Sequence, residues 1–288
     1  ANDLASKNAK SGRITRIVLM TDGIPTDKEN PKDYEKLCAE IRKDGITVNP
    51  IGIGDNYNDE LLLRISDSGG GEWMHVTDPH SQLPNFLREQ VTMMLNTIAI
   101  NPELKLEFIP GAEIIDFYTV KPILTKMELP QRKGNQYVLN LRDLVIGQEQ
   151  TIVFRIKLPH QPSGTYNLLN ASAIDKNVDM SITYTEDSTL YNSEPNPDPR
   201  ILLFATEGTV LMRKGMDGDT IALQKAETIL KAVPTDPDAT IALNPATQAT
   251  VMNLKNIHDA TVMKPNLSEA EKKDLMHDTT IIRRKENK

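Results

Sequence analysis

The sequence predicts an α/β domain over residues 1–100, an antiparallel β-sandwich over residues 101–190, a linker at 191–200 and an α-helical bundle over residues 201–288. In the first hundred residues, apolar runs of strand length alternate with segments of helical period, as in a parallel sheet covered by helices. From about Pro102, apolar and polar residues mostly alternate, which is typical of strands with one wet face. After three prolines within residues 195–199 the helical period returns, so a helical module is expected at the end.

The α/β prediction rests mainly on the stretch around Asp22. Four consecutive apolar residues, 17–20, precede the sequence Thr21-Asp22-Gly23. This pattern predicts a strand buried on both faces that delivers Asp22 to its carboxyl end. Ligands of open α/β sheets bind at that edge, so Asp22 is the first candidate for a functional residue.

The remaining elements of the first domain follow from caps and apolar stripes. Asn30-Pro31 predicts the start of a helix that ends at Gly45, and the next strand, over residues 46–53, contains Pro50 and is expected to lie at an edge or a bulge. Trp73 begins a third strand and is expected in the core. The predicted stripes are Tyr34, Leu37, Cys38 and Ile41 on the first helix, and Leu83, Leu87, Val91, Met94 and Ile98 on a helix over residues 82–98.

The later modules are predicted in the same way. Alternation predicts sandwich strands over residues 104–108, 136–141, 151–158 and 180–184. Helices are predicted over residues 201–212, after the cap Asp219, from Asn244-Pro245 to about residue 263, and at the capping box Ser268 to Glu271. The chain ends in a short basic tail, residues 283–288.

Composition excludes several functional classes. The chain has 33 basic and 40 acidic residues and a net charge of -7, which argues against a general nucleic-acid binder. It has no apolar run of about 18 residues that could span a membrane. The single cysteine, Cys38, lies on a predicted core stripe and favours a reducing, cytoplasmic compartment. The five histidines are dispersed without zinc spacing, and Gly52-Ile53-Gly54 lacks the third glycine of a dinucleotide fingerprint.

Three segments resemble the von Willebrand factor type A domain family in the correct order. Residues 17–25 look like the strand and turn that end in Thr-Asp-Gly. Residues 45–55 are similar to the next strand with its Gly-x-Gly exit, and residues 59–66 with 69–76 look like the following short helix and last strand. The resemblance covers about the first third of the chain.

This resemblance implies a metal-ion-dependent adhesion site for Mg²⁺ or Mn²⁺. In the family the cation is held by an Asp-x-Ser-x-Ser loop, a Thr from a second loop and the Asp of Thr-Asp-Gly, which Asp22 matches. The first two motifs lie upstream in the family, and the 21 residues before Asp22 contain no Asp-x-Ser-x-Ser. We therefore expect a fragment with an incomplete metal site. The other residues expected at the ligand face are Thr21, Gly23, Pro25, Asp27 and Asp55.

By resemblance the chain is a non-enzymatic module that binds another protein, whose acidic side chain completes the metal coordination. One alternative is an accessory subunit of an enzyme complex or a metal-dependent phosphotransfer protein that uses Asp22. A further alternative is a scaffold with a vestigial metal site. Absent strands would expose a sheet edge, so self-association or exchange of elements between copies is also expected.

Overall fold

A computed structural model describes residues 2–9, 13–25, 30–191, 196–216, 218–234, 243–263 and 267–280. These residues form two compact units. Unit 1 comprises the described residues within 1–102, 140–148 and 268–277, and unit 2 comprises those within 103–139, 149–267 and 278–288. No helix among these described ranges is long and apolar enough to cross a lipid bilayer.

Unit 1 contains a three-stranded parallel sheet with the order β1-β2-β3. Its strands are β1 (Thr15–Thr21), β2 (Ile46–Ile53) and β3 (Met74–Val76). The helices are α1 (Asn2–Ala9), α2 (Pro31–Lys43), α3 (Asp59–Ser68) and α4 (Pro79–Leu95). Ile17 and Val18, adjacent on β1, belong to different apolar clusters, so each face of the sheet carries its own core.

The predicted boundaries of α2 are confirmed. The side chain of Asn30 accepts a hydrogen bond from the Lys32 amide at 3.0 Å, and Gly45 follows the helix with a positive φ of 75°. Cys38 is buried in the core, as predicted, whereas Leu37 is 50% exposed and the predicted stripe is wrong there. Burial raises the pKa of the Cys38 thiol to about 11, so the side chain acts as a small apolar group.

Two predictions about the strands are wrong. β1 was expected to be buried on both faces, but it is the outer strand of the described sheet, and Leu19 and Met20 are 40% and 54% exposed. Pro50 was expected to mark an edge or a nearby bulge; the edge is wrong, because β2 is the central strand and Pro50 pairs with Leu19 of β1. On the β3 side of β2, Val48 forms an isolated bridge with Gly70 and the ladder to β3 begins at Ile51, so Pro50 lies in the interruption between these paired residues.

The orientation of α4 also differs from the prediction. Phe86 and Gln90 are buried, while Leu87 and Val91 of the predicted stripe are 44% and 56% exposed. Phe86 packs with residues of β2 and β3, and that contact decides which side of the helix faces the sheet. The helix ends at Leu95, and the end of the predicted stripe belongs to a short strand, β4 (Thr97–Ala99).

Residues 140–148 join unit 1 through a buried polar network. They contain β10 (Leu144–Val145), which pairs antiparallel with β4. The Asp143 carboxylate accepts hydrogen bonds from the Thr47 hydroxyl and from the Asn101 amide, both at 3.1 Å, and lies 3.6 Å from the Arg16 guanidinium. The two hydrogen bonds and the nearby guanidinium compensate the buried charge of Asp143.

Unit 2 contains two antiparallel sheets, with the orders β13-β12-β5-β9-β8 and β11-β6-β7. Phe108 of the first sheet shares a core cluster with Phe117 and Phe154 of the second, so the sheets pack face to face as the predicted β-sandwich. The strands are β5 (Glu103–Phe108), β6 (Glu113–Lys121), β7 (Thr125–Lys126), β8 (Gln131–Lys133), β9 (Gln136–Asn140), β11 (Thr151–Lys157), β12 (Gly164–Ala173) and β13 (Lys176–Tyr184).

The helices that follow are α5 (Ser188–Tyr191), α6 (Asp198–Met216), α7 (Thr220–Ala232), α8 (Pro245–Met263) and α9 (Glu269–Thr280). Three of them, α7, α8 and α9, start where the sequence signals predicted, whereas α6 begins three residues earlier than predicted and α5 was not predicted. The side chains of Asp219 and Asn244 accept from amides three residues later, at 2.9 and 3.0 Å. Ser268 and Glu271 form the reciprocal bonds of a capping box.

The C-terminal helices are divided between the two compact units. Helices α6 to α8 are grouped with the sandwich, whereas residues 268–277 of α9 are grouped with the α/β sheet. Within the predicted linker, residues 192–195 lie outside the described residues and α6 already begins at Asp198. The basic tail at 283–288 also lies outside them.

Candidate functional site

The turn after β1 presents Asp22 at the carboxyl edge of the unit 1 sheet. The Thr21 hydroxyl donates to the Gly23 carbonyl at 3.1 Å and accepts from the Gly23 amide at 3.3 Å, which fixes the turn locally. The Asp22 side chain is exposed beside Ile24, which is 67% exposed, and beside the exposed Pro25. The turn therefore offers a carboxylate next to an apolar surface.

The loop after β2 reaches the same edge. Thr21 is in register with Gly52, so the two strands end on the same side of the sheet. Gly54 has a positive φ of 68°, and its amide donates to the Val76 carbonyl at 2.9 Å, which turns the chain toward the exposed Asp55. Asp27, the last predicted member of the ligand face, lies outside the described residues.

These residues alone do not provide a complete set of metal ligands. The described parts of the chain contain no group of three or more His, Cys, Asp or Glu side chains placed to hold a metal ion. Mg²⁺ prefers six oxygen ligands and usually keeps several waters. Asp22 could supply one of these ligands, and the others would have to come from elsewhere.

Sequence reasoning missed a cluster with a buried centre behind this edge, which we call the α9 cluster: the buried Tyr57, Trp73, His75 and Lys273, the partly buried His277 and the exposed Asp274. Its central contact is the Lys273 ammonium, whose residue is 6% exposed. The ammonium donates to the main-chain carbonyls of Asp55 and Tyr57, the latter at 2.9 Å, and lies 4.1 Å from the Tyr57 ring centroid. The carbonyls and the ring compensate the buried charge, and the contact fixes the loop after β2.

Tyr57 and His75 extend the cluster to the Asp274 carboxylate. The Tyr57 hydroxyl lies 2.7 Å from His75 Nδ1, and His75 Nε2 lies 3.4 Å from the Asp274 carboxylate. A proton on Nε2 would face the carboxylate, so that Nδ1 accepts the hydrogen bond from the tyrosine. Burial lowers the pKa of His75, and Asp274 opposes this effect in part.

The α9 cluster has the properties of a packing contact that holds a helix in place. Burial raises the pKa of the Tyr57 hydroxyl, with the nearby Asp59 adding to the effect, which is the opposite of what a nucleophile or a base requires. Trp73 packs edge to face with His277 at 5.6 Å between ring centroids, and Met276 packs on the core beside it. These contacts dock α9 on the sheet.

No local sequence signal reveals this docking. Lys273 and Tyr57 are 216 positions apart, and lysines on helices usually face water. The capping box predicts that a helix starts at Ser268, but nothing in its short pattern indicates what the helix packs against.

A three-stranded parallel sheet flanked by helices defines an open α/β domain, and its Asp-containing turn lies at the carboxyl edge, where sheets of this class bind ligands. Residues 2–89 match the family model of the von Willebrand factor type A domain. This part of the chain is therefore a domain of the von Willebrand factor type A kind, which confirms the resemblance.

Two curated relatives are similar to about half of the chain. The uncharacterized protein YfbK of Escherichia coli is 29% identical over 159 residues, which is 54% of this chain and 27% of that protein. The uncharacterized protein sll0103 of Synechocystis is 29% identical over 154 residues, which is 52% of this chain and 36% of that protein. The matched region is thus about a third or less of each relative.

A solved structure is similar over nearly the whole chain. The von Willebrand factor type A protein from Catenulispora acidiphila superposes with a TM-score of 0.72 and 17% identity, over 98% of this chain and 69% of that one. At this identity the likeness concerns the fold. It supports the fold class predicted from the sequence, an α/β domain followed by antiparallel strands and helices.

Proposed function

We propose that this chain is a non-enzymatic protein-binding module whose ligand face is the carboxyl edge of the unit 1 sheet. Domains of the von Willebrand factor type A kind are generally protein-interaction modules, which supports the general class. The observation that carries the proposal is the turn at Asp22, whose exposed carboxylate stands beside the exposed Ile24 on a turn fixed by Thr21. A preformed turn of this kind loses little conformational freedom on binding.

We further propose that Asp22 contributes to a divalent-cation site. A hard cation such as Mg²⁺ or Mn²⁺ would be held by Asp22 and by oxygen ligands outside the described residues. The cation would add a directional attraction for an acidic side chain of the partner protein. The turn and the exposed carboxylate support this role for Asp22, and the metal itself is the expectation taken from the family.

Metal binding is tested first, by thermal unfolding of the chain in a titration with MgCl₂ or MnCl₂ and with EDTA as the control. A ligand at about 100 times its Kd stabilises the folded state by about 2.7 kcal/mol. We expect a saturable rise in Tm that disappears in Asp22→Ala. A rise of the same size in Asp22→Ala would exclude Asp22 as a ligand. The absence of a rise in the wild-type protein would contradict the proposed cation site.

Protein binding is tested by quantitative affinity capture from extracts of the source organism, with wild type, Asp22→Ala and the matched variant Asp175→Ala. Asp175 is exposed in the turn between β12 and β13, so its removal controls for the loss of one surface charge. We expect a partner that wild type and Asp175→Ala retain and that Asp22→Ala loses. Equal capture by all three proteins would contradict the proposed ligand face.

A further inference from the structure

The outer strand of the five-stranded sheet, β13, has a free edge. It spans nine residues, Lys176–Tyr184, and among the described residues it is paired on one side only, by β12. A free edge of this length presents a row of backbone donors and acceptors that fit another extended chain. Natural proteins usually shorten, charge or cover such edges, whereas β13 is nine residues long and carries only two charged residues, Lys176 and Asp179.

The side chains of β13 continue the apolar face of the sandwich beyond its covered part. Val178 and Met180 are 63% and 53% exposed. They stand opposite Ala171 and Leu169 of β12, which belong to the sandwich core. Directly opposed residues point to the same face of a sheet, so two apolar side chains extend the core face without being covered by it.

We propose that β13 pairs in antiparallel orientation with β13 of a second copy of this chain, with Met180 at the two-fold axis. Met180 is the middle residue of the strand, so this register uses all nine residues. It places Val178 opposite the second copy's Ile182, and Met180 opposite the second copy's Met180. The apolar residues of the core face then meet one another across the new ladder, as a two-fold interface requires.

The charges of β13 fit this register. Its charged residues are Lys176 and Asp179. With Met180 at the axis, Lys176 stands opposite Tyr184 and Asp179 stands opposite Ser181, so no like charges face each other. A shift of the axis by one residue to Asp179 would oppose two carboxylates, which destabilises a strand pair. Two copies of β13 can therefore pair over all nine residues with Met180 at the axis, and the register with Asp179 at the axis is disfavoured.

The register is tested by single cysteine variants under mild oxidation. Met180→Cys places two thiols opposite each other at about 4.5–5.5 Å between Cα atoms, within disulfide range. Val178→Cys is the matched control, because in this register it faces Ile182 of the second copy, and the second copy's own residue 178 lies four positions further along the strand. Cys38 is buried with its pKa raised to about 11, so the introduced thiol is the reactive one. We expect a covalent dimer from Met180→Cys alone. A covalent dimer from Val178→Cys, or none from Met180→Cys, would overturn the register.

The interface itself is tested by sedimentation of the full chain over a range of concentrations. Met180→Lys places two ammonium groups at the axis, and we expect its dimer dissociation constant to rise at least about tenfold. Leu95→Lys is the matched control on α4, where the leucine is 81% exposed, and we expect it to leave the dimer unchanged. Circular dichroism verifies that both variants fold. A monomeric wild-type chain, or a dimer that Met180→Lys does not weaken, would overturn the proposal.

Discussion

Replacement of Lys273 by methionine tests the importance of the α9 cluster most directly. Methionine keeps most of the apolar stem that lies against Tyr57 and removes the ammonium that donates to the carbonyls of Asp55 and Tyr57. A hydrogen bond to a charged group contributes about 1.5–3 kcal/mol to stability. Part of this gain offsets the cost of burying the charge, so we expect the two bonds together to stabilise the docked helix by about 2–4 kcal/mol.

Such a loss increases the fraction of molecules in which α9 is undocked by roughly 30- to 700-fold. Hydrogen exchange measured by mass spectrometry reports this opening directly. We expect protection to fall in α9 and in the loop at residues 54–57, and the urea midpoint of unfolding to fall as well.

Lys225→Met is the matched control, because this lysine is exposed on α7 and its loss removes the same charge. We expect it to change the unfolding free energy by less than about 0.5 kcal/mol. If Lys273→Met and Lys225→Met had the same small effect, the inference that the buried ammonium holds α9 on the sheet would be refuted.

Two further predictions concern the same region. Burial lowers the pKa of His75, so the folded state favours the neutral imidazole. The folded protein therefore has its full stability above the ordinary histidine pKa of 6.5 and loses part of it as the pH falls from there through the lower pKa of His75 in the folded state. Urea unfolding at about pH 7.5 and about pH 5 should show that His75→Gln loses less stability on acidification than wild type, and an equal loss would contradict this. Gly52→Ala would place a Cβ inside the Tyr57 ring and is expected to cost about 2–3 kcal/mol, whereas Gly23→Ala, with no neighbour within 4 Å of its Cβ, should cost far less by the same assay. Equal costs for the two alanines would refute the packing of Tyr57 against Gly52.

The features that could be predicted from sequence are made by residues close together in the chain. The caps at Asn30, Asp219 and Ser268 each satisfy amides within three residues, so their residue types are sufficient to locate the helix starts. The Thr21-Asp22-Gly23 turn is likewise closed by its own hydroxyl, and the sequence indicates both the turn and its position after a strand.

The features that could not be predicted depend on distant partners. An apolar stripe on α4 shows that a helix has an apolar side, but Phe86 instead of Leu87 faces the sheet because it packs with β2 and β3. Pro50 is tolerated in the central strand because it lies between the bridge at Val48 and the ladder that begins at Ile51, and the sequence of one strand does not show where its neighbour pairs. Lys273 is buried because two carbonyls 216 or more positions away compensate it.

The two loops at the candidate ligand edge are therefore held by different forces. The Thr21-Asp22-Gly23 turn depends on bonds within itself, whereas the loop at Asp55 depends on a lysine supplied by α9. Undocking of α9 should loosen the Asp55 loop and leave the Asp22 turn in place. If Lys273→Met weakens capture of a partner that also requires Asp22, that partner contacts both loops. If capture is unchanged, the partner contacts the Asp22 turn without using the loop that α9 supports.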